Sequence, residues 1–204
     1  MKLYQSIGPN PRAVKIFVAE KGLDLPRVEI DLPAGENRQT PHLARNPSGQ
    51  TPTLELDNGA CLAEITAICE YLEEKQPNPP LIGATPEERA ETRMWTRRVD
   101  IRICEPMANG FRFGEGLPMF RERVLCVPEA SAGLKAMAQN GEQWLEGQFK
   151  GPWICGERFT MADIVLFSFI EFGGVVGQPL DPGLAKLAAW YDRVKARPSV
   201  SASA

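Results

Sequence analysis

Residues 46–72 read NPSGQTPTLELDNGACLAEITAICEYL, and this order of residues predicts a β-hairpin followed by a helix. Apolar and polar residues alternate over residues 53–56, as they do in a strand with one buried face. Asn58-Gly59 is the dipeptide best suited to the positive φ angles of a tight hairpin turn, and the residues after it read as the return strand. A helix is then expected to begin near Glu64, because apolar residues recur at helical spacing at Ile65, Ile68, Cys69 and Leu72.

The two ends of this hairpin are candidates for binding the end of a peptide. A cis Thr51-Pro52 bond would leave the N–H and C=O of Thr51 free to pair with the backbone of a ligand. The first turn of the helix after Glu64 offers unpaired N–H groups to a carboxylate, while the Glu64 carboxylate can hold an ammonium group. The helix dipole alone also explains an acid at this position. The residues therefore leave open both a peptide-end clamp and a purely structural hairpin.

The composition excludes several classes of partner and site. The chain has 204 residues and a formal net charge of −3 without a basic stripe, so we expect no nucleic-acid partner. It shows neither a basic, apolar leader nor an apolar stretch long enough to span a bilayer, so we expect a cytoplasmic protein without a membrane partner. His42 is the only histidine and the five cysteines include no C-x-x-C pair, so we expect no metal. No P-loop or G-x-G-x-x-G motif supports nucleotide chemistry.

The first part of the chain alternates strands and helices. Residues 2–4 and 28–32 read as strands, and between them Asn10 is a favourable N-cap for a helix with Pro11 at its first position. A strand–helix–strand unit of about thirty residues implies a parallel pair of strands. A helical turn near residues 41–45 and the hairpin with its helix complete the order βαβ, α, ββα.

A proline-rich segment, residues 76–80, marks the boundary to a part of the chain that has no strand signal. We expect a first domain over residues 1–76, a linker over 77–84 and an all-α domain over 85–204.

Two capping boxes organise the expected all-α domain. One opens a helix at Thr85, and the other opens a helix at Thr160 that is apolar nearly all round and should be buried. Glycines and a proline predict irregular structure over residues 106–127. The other helices are expected over residues 128–148 and 182–196.

These residues together resemble the bacterial cytosolic type of glutathione S-transferase along nearly the whole chain. Four groups of residues in family order carry the resemblance: KLY at 2–4 with NPR at 10–12 and EKGL at 20–23, NPSGQTP at 46–52, LAE at 62–64 with AICEYL at 67–72, and GERFTMADI at 156–164. The resemblance implies an α/β plus all-α architecture, with an N-terminal thioredoxin-like βαβαββα domain followed by an α-helical domain. It also implies glutathione as co-substrate and a homodimer.

The resemblance assigns glutathione-binding roles to residues on both sides of the hairpin. Thr51, before a cis Pro52, matches the position whose backbone pairs with the cysteinyl backbone of glutathione. Gln50 matches a position that reaches toward the glycine end, and Asn37 or Arg38 could reach the same carboxylate. Arg38 is favoured by charge and Asn37 by position.

At the γ-glutamyl end the sequence departs from the family pattern. Glu64 and Ile65 match a Glu-Ser pair that holds this end of glutathione. Ile65 lacks the hydroxyl donor, and the loss of one hydrogen bond to a charged group would cost about 1.5–3 kcal/mol of affinity. The backbone N–H of Ile65 can still serve, and Thr66 is a substitute.

A second departure concerns the group that stabilises the thiolate. Gly8 stands where many members of the family have a serine, so that hydroxyl is absent. Asn10 is the best remaining donor, and Ser6 is a weaker candidate. Plain N-capping also explains Asn10, and the two roles are compatible, since the amide oxygen can cap while the NH2 group faces a thiolate.

The candidate pocket for a second substrate lies in the all-α part of the chain. Aromatic and basic residues around Gly110 suggest a flat or acidic co-substrate, and the residues selected are Arg97, Phe111 and Phe113. Each of them is also explained by helix surface or core packing.

Three functions fit the resemblance. The first is conjugation of the glutathione thiolate to a small electrophile, a reaction typical of detoxification, and this is the function that we select. The second is glutathione-dependent reduction of disulfides, favoured by Asn10 and the missing serine. The third is a non-catalytic binding module, favoured by Gly8 and Ile65.

Overall fold

The computed structural model describes residues 1–203, which form two compact units. The first unit comprises Met1–Leu81 and the residues from Pro198 onward, and the second comprises Ile82–Arg197. The expected all-α domain extended to the end of the chain, whereas the last residues pack on the first unit. Arg12 explains this difference, because its guanidinium donates to the carbonyl of Val200 at 3.1 Å and to the hydroxyl of Ser203 at 2.9 Å.

The first unit is built on a four-stranded sheet with the spatial order β2-β1-β3-β4. Its strands are β1 (Lys2–Gln5), β2 (Arg27–Glu29), β3 (Thr53–Glu55) and β4 (Cys61–Ala63). The pair β1 and β2 is parallel, while β3 is antiparallel to both of its neighbours. The parallel pair and the hairpin predicted from the sequence are both confirmed.

Three helices accompany the sheet: α1 (Pro9–Glu20), α2 (Thr40–Leu43) and α3 (Ile65–Lys75). The order βαβαββα is that of the thioredoxin-like fold, as predicted. The side chains of α1 that face the sheet, including Val14 and Phe17, are fully buried, as are Ile68 and Leu72 of α3. The start of α1 was predicted two residues too late, because Gly8 and not Asn10 occupies the N-cap position.

The second unit contains helices and no strand of the sheet. Its helices are α4 (Pro86–Val99), α5 (Glu105–Phe113), α6 (Leu117–Phe120), α7 (Ser131–Glu146), α8 (Met161–Val175) and α9 (Ala185–Lys195). The π-helical turn Asp100–Cys104 joins α4 to α5. The prediction of irregular structure over residues 106–127 was therefore wrong for α5 and α6. A short tenth helix, α10 (Pro198–Ala202), belongs to the first unit.

The centre of the second unit is α8, whose residues from Met161 to Ile170 are all buried. The predicted capping box at its start is present. The carboxylate of Asp163 accepts hydrogen bonds from the N–H of Thr160 at 2.8 Å, the N–H of Ile154 at 3.0 Å and the indole of Trp190 at 2.8 Å. One buried carboxylate thus joins three segments of this unit. No helix within residues 1–203 has both the length and the apolar character needed to cross a bilayer.

Candidate functional site

The backbone of Thr51 is available to a ligand. The Thr51-Pro52 peptide bond is cis, and strand pairing between β1 and β3 ends at Thr53. Within residues 1–203, neither the N–H nor the C=O of Thr51 has a hydrogen-bond partner. The side chain is 8% exposed, and its hydroxyl shares a hydrogen bond of 2.5 Å with that of Ser6. Thr51 therefore presents backbone groups rather than its hydroxyl.

Asn37 and Arg38 both bind the loop that precedes Thr51. The side-chain amide nitrogen of Asn37 donates to the carbonyl of Gly49 at 2.6 Å. The guanidinium nitrogen Nη1 of Arg38 donates to the carbonyl of Ser48 at 3.2 Å. Gly49 has a φ of +63°, and a Cβ there would lie 2.8 Å from the Arg38 side chain. Asn37 is buried and its amide nitrogen is engaged, so of the two residues only Arg38 is partly exposed to solvent. Contact of either with the glycine carboxylate of glutathione stays a prediction.

Two residues that the sequence did not single out for binding also hold this loop. His42 Nε2 lies 2.8 Å from the carbonyl oxygen of Gln50, and the Asn46 amide donates to the same oxygen at 3.0 Å. The Gln50 side chain is exposed. Asn46 stands in the quoted NPSG turn and could have been found there as a turn residue. His42 carried no signal beyond being the only histidine, because its partner is a backbone carbonyl.

Glu64 stands at the other side of the candidate site in a strained backbone conformation. It is the N-cap residue of α3 with φ 68° and ψ 127°, and no other non-glycine residue among 1–203 has a positive φ. Such a conformation costs about 1–3 kcal/mol and is found most often at functional sites. The Glu64 side chain is exposed and has no hydrogen-bond partner within the described chain. Its carboxylate is free to bind a cation.

The first turn of α3 leaves its N–H groups unpaired. No side chain caps the helix and no acidic residue stands in this turn. The N–H groups of Ile65 and Thr66 are therefore available as donors, and they lie at the positive end of the helix dipole. The hydroxyl of exposed Thr66 has no hydrogen-bond partner among the described residues. A carboxylate beside an ammonium group, as at the γ-glutamyl end of glutathione, matches these donors and the Glu64 carboxylate.

The start of α1 has an unusually small number of donors. Pro9 and Pro11 have no N–H, so Asn10 provides the only free backbone N–H among the first three helical residues. The Asn10 side chain is half-buried, does not cap the helix and has no hydrogen-bond partner within residues 1–203. Plain N-capping is therefore not its role, and both its N–H and its amide remain available.

Gly8 and Ser6 lie in the segment that leads into α1. Gly8 has φ 117° and ψ 169°, a conformation that L-residues rarely adopt. The hydroxyl of Ser6 is buried and is engaged with Thr51 and with the carbonyl of Ile7 at 3.2 Å. Ser6 thus joins this segment to the loop of Thr51, which leaves Asn10 as the better candidate for contact with a thiolate.

Four of the five cysteines, Cys61, Cys69, Cys104 and Cys155, are poor alternatives as the reacting thiol. Burial raises the pKa of the Cys155 thiol to about 11, and burial also raises the pKa values of the Cys69 and Cys104 thiols. Burial also raises the pKa of the Cys61 thiol, and the nearby Glu55 carboxylate acts in the same direction. Thiolate chemistry near neutral pH is therefore better supplied by a bound thiol than by these side chains.

The three residues proposed for the second substrate all lie in the second unit. Arg97 is exposed on α4 and pairs with Asp100 at 3.0 Å. Phe111 packs edge-on against Phe120 and Phe172, with ring centroids 6.1 and 5.3 Å apart. Phe113 is the last residue of α5 and is half-buried. Phe111 has a clear packing role, and substrate contact by any of the three stays a prediction.

Comparison with protein families identifies both parts of the chain. The family model described as "Glutathione S-transferase, N-terminal domain" matches residues 1–74. The model described as "Glutathione S-transferase, C-terminal domain" matches residues 128–193.

Individual relatives cover almost the whole chain. Glutathione S-transferase 2 of Saccharomyces cerevisiae is 33% identical over 198 residues, which cover 95% of this chain and 84% of that protein. Glutathione S-transferase GstA of Escherichia coli O157:H7 is 32% identical over 204 residues, which cover 98% of this chain and 95% of that protein. The crystal structure of Gtt2 from S. cerevisiae matches with a TM-score of 0.92 and 31% identity, covering 100% of both chains. The chain therefore belongs to the glutathione S-transferase family of enzymes.

Proposed function

We propose that this protein conjugates the glutathione thiolate to a small electrophilic substrate. The observation that carries the proposal is Glu64, which has an exposed, unpartnered carboxylate on a strained backbone next to the uncapped first turn of α3. This arrangement offers an acceptor for the α-ammonium of glutathione and N–H donors for its α-carboxylate. The unpaired N–H and C=O of Thr51 complement the backbone of the cysteinyl residue.

The thiol must be ionised before it can attack. A free thiol of this type has a pKa of about 8.5, and a nearby helix N-terminus lowers such a value. Asn10 supplies one backbone N–H and one unpartnered side-chain amide at the N-terminus of α1. Both donors stabilise the thiolate more than the neutral thiol, so the proton leaves to solvent more readily.

The proposed reaction then needs no redox partner. The thiolate sulfur donates an electron pair to an electrophilic carbon and forms a carbon–sulfur bond. The bond to the leaving group breaks, and the leaving group departs with its electron pair. We further propose that the enzyme is a cytoplasmic homodimer and acts in detoxification. Light scattering of the purified protein tests whether it is a dimer.

Reduction of disulfides by glutathione is the second candidate. It is favoured by Asn10 and by Gly8, which supplies no hydroxyl at the position where the family resemblance would place a serine. Turnover of an aryl halide and of a mixed disulfide, measured side by side, separates the two reactions. Asn10→Ala is the control in both assays, and an unaltered rate in that variant would remove Asn10 as the thiolate partner.

The proposed site is tested by calorimetric titration with reduced glutathione. We expect micromolar to low-millimolar binding, which Glu64→Ala weakens strongly because the ammonium group loses its acceptor. Glu74→Ala is the matched control, since Glu74 is an exposed acid near the other end of the same helix. Equal loss in the two variants would show that net charge, and not the Glu64 contact, governs binding. Absence of binding by the unaltered protein would overturn the proposal.

A further inference from the structure

We propose that His42 is a positioning residue that sets the direction of the Thr51 N–H, and thereby the affinity for glutathione. His42 touches neither Thr51 nor the proposed ligand. It acts through the peptide group that joins Gln50 to Thr51. The inference rests on the proposed function, because it assumes that the Thr51 backbone pairs with glutathione.

The planarity of the peptide group carries the first step. The cis bonds in residues 1–203 are those before Pro52 and Pro79, so the Gln50–Thr51 bond is trans. In a trans peptide group the C=O of one residue and the N–H of the next lie in one plane and point in opposite directions. Whatever holds the carbonyl oxygen of Gln50 therefore also aims the N–H of Thr51.

Two side chains hold that carbonyl oxygen. Asn46 donates to it at 3.0 Å, and Asn46 is itself fixed because its Oδ1 accepts from the N–H of Ser48 at 3.1 Å and from the Ser48 hydroxyl at 2.8 Å. His42 Nε2 lies at 2.8 Å. An oxygen with two donors uses both lone pairs, so the peptide plane cannot rotate without breaking one of these bonds.

The position of one ring hydrogen of His42 follows from its partner. A carbonyl oxygen only accepts, so the ring nitrogen Nε2 of His42 carries a hydrogen. The side chain is 1% exposed, and Nδ1 has no hydrogen-bond partner among the described residues. A buried polar ring with one unpaired atom is costly, and an apolar ring would fill the same space without that cost. The Nε2 donor is thus the feature of His42 that packing alone does not require.

The test compares apolar substitutions, which remove the donor, with His42→Gln, which retains one. His42→Phe fills the site and removes the donor, while His42→Gln places an amide nitrogen near the position of Nε2. His42→Met is a second apolar variant that adapts to irregular space, in case Phe prevents folding. Folding of each is checked by thermal unfolding, and each is titrated with reduced glutathione and assayed for KM and kcat.

We expect His42→Phe or His42→Met to raise the Kd and KM for glutathione about tenfold, as the loss of one ordered hydrogen bond allows. His42→Gln should stay within about threefold of the unaltered protein, and kcat at saturating glutathione should change less than KM in all three. A folded apolar variant that binds glutathione as well as the unaltered protein overturns the inference. Equal losses in His42→Gln and the apolar variants overturn it too, because they would indicate packing. If the unaltered protein fails to bind, the glutathione site itself is refuted and the inference falls with it.

Discussion

Two pairs of helices in this molecule begin in opposite ways. In the second unit, α4 and α8 begin with complete capping boxes, at Thr85 with Glu88 and at Thr160 with Asp163. In the first unit, α1 and α3 begin without any side-chain cap, at residues with positive φ. Capping satisfies the orphan N–H groups inside the protein, whereas an uncapped start leaves them for a ligand. Among these four helices, the starts of α4 and α8 stabilise the fold, whereas the starts of α1 and α3 remain available for binding.

Loss of the buried cap of α8 should have the largest effect on stability. Asp163→Ala leaves the donors of Thr160, Ile154 and Trp190 buried without an acceptor, so we expect a loss of about 3–5 kcal/mol in the free energy of unfolding. All four tryptophans lie in the second unit, so tryptophan fluorescence during urea unfolding reports on this unit.

The exposed cap of α4 provides the matched control. Thr85→Ala removes a cap at the surface, and we expect a loss of only about 1 kcal/mol. Equal losses in the two variants would contradict the structural role assigned to the buried carboxylate.

Relief of the strained start of α3 should separate binding from stability. Glu64→Gly removes the carboxylate and permits φ 68° without cost. We expect the free energy of unfolding of the first unit to rise by about 1 kcal/mol. Glutathione affinity should fall about 10- to 100-fold, because a contact between charged groups is lost. Far-UV circular dichroism during urea unfolding measures the change in stability. Calorimetric titration with reduced glutathione measures the change in affinity. A variant that is less stable than the unaltered protein would show that no strain is stored at this residue.

Glu142 on α7 is a buried carboxylate that, unlike Asp163, receives no hydrogen bond from the described residues. Burial, with a smaller contribution from the Asp181 carboxylate, raises the pKa of Glu142 to about 7. The folded protein therefore keeps this proton up to a higher pH than the unfolded chain does, and stability is lost as the pH rises from about 4.5 to about 7. We expect Glu142→Gln to raise the free energy of unfolding by about 1–3 kcal/mol at pH 8. At pH 4 the variant should equal the unaltered protein. Urea unfolding at the two pH values measures both, and a gain that is the same at both would contradict the ionisation argument.

The smallest effect is expected at the start of α1. Gly8→Ser adds the hydroxyl that the family resemblance places at this position, but at φ 117° the new side chain should cost about 1 kcal/mol of stability. Space is not the obstacle, since a Cβ at Gly8 would meet no atom within 4 Å. We expect no gain in the rate of conjugation, because a serine cannot hold this backbone conformation without strain. A higher rate would instead show that Asn10 is an inadequate substitute for a hydroxyl.

The sequence predicted those features that depend on neighbouring residues. The alternation in β3, the Asn58-Gly59 turn and the capping boxes are local patterns, and the structure contains each of them. Other features depend on contacts that no local pattern encodes. Helix α5 was missed because Gly110 reads as a helix breaker. In the structure, a Cβ at Gly110 would lie 2.7 Å from the Lys135 side chain, so the glycine allows α5 and α7 to approach closely.

The candidate site shows the same division. Thr51, Glu64 and Asn10 were selected from motifs. The strained backbone of Glu64, and the fact that the Asn10 side chain does not cap α1, are visible only in the backbone angles and hydrogen bonds. His42 was considered only as a metal ligand. Its bond to the carbonyl of Gln50 depends on how α2 folds back on the following loop, which the residue order alone does not reveal.

The return of the chain to the first unit at Pro198 limits how this enzyme can be divided. A fragment that stops at residue 81 keeps the whole sheet and the uncapped helices but lacks α10, the segment to which Arg12 of α1 is bonded. The first unit is therefore discontinuous in sequence, and a split or domain-swapped enzyme would need two crossover points. Truncation at residue 81 would therefore not give the complete first unit.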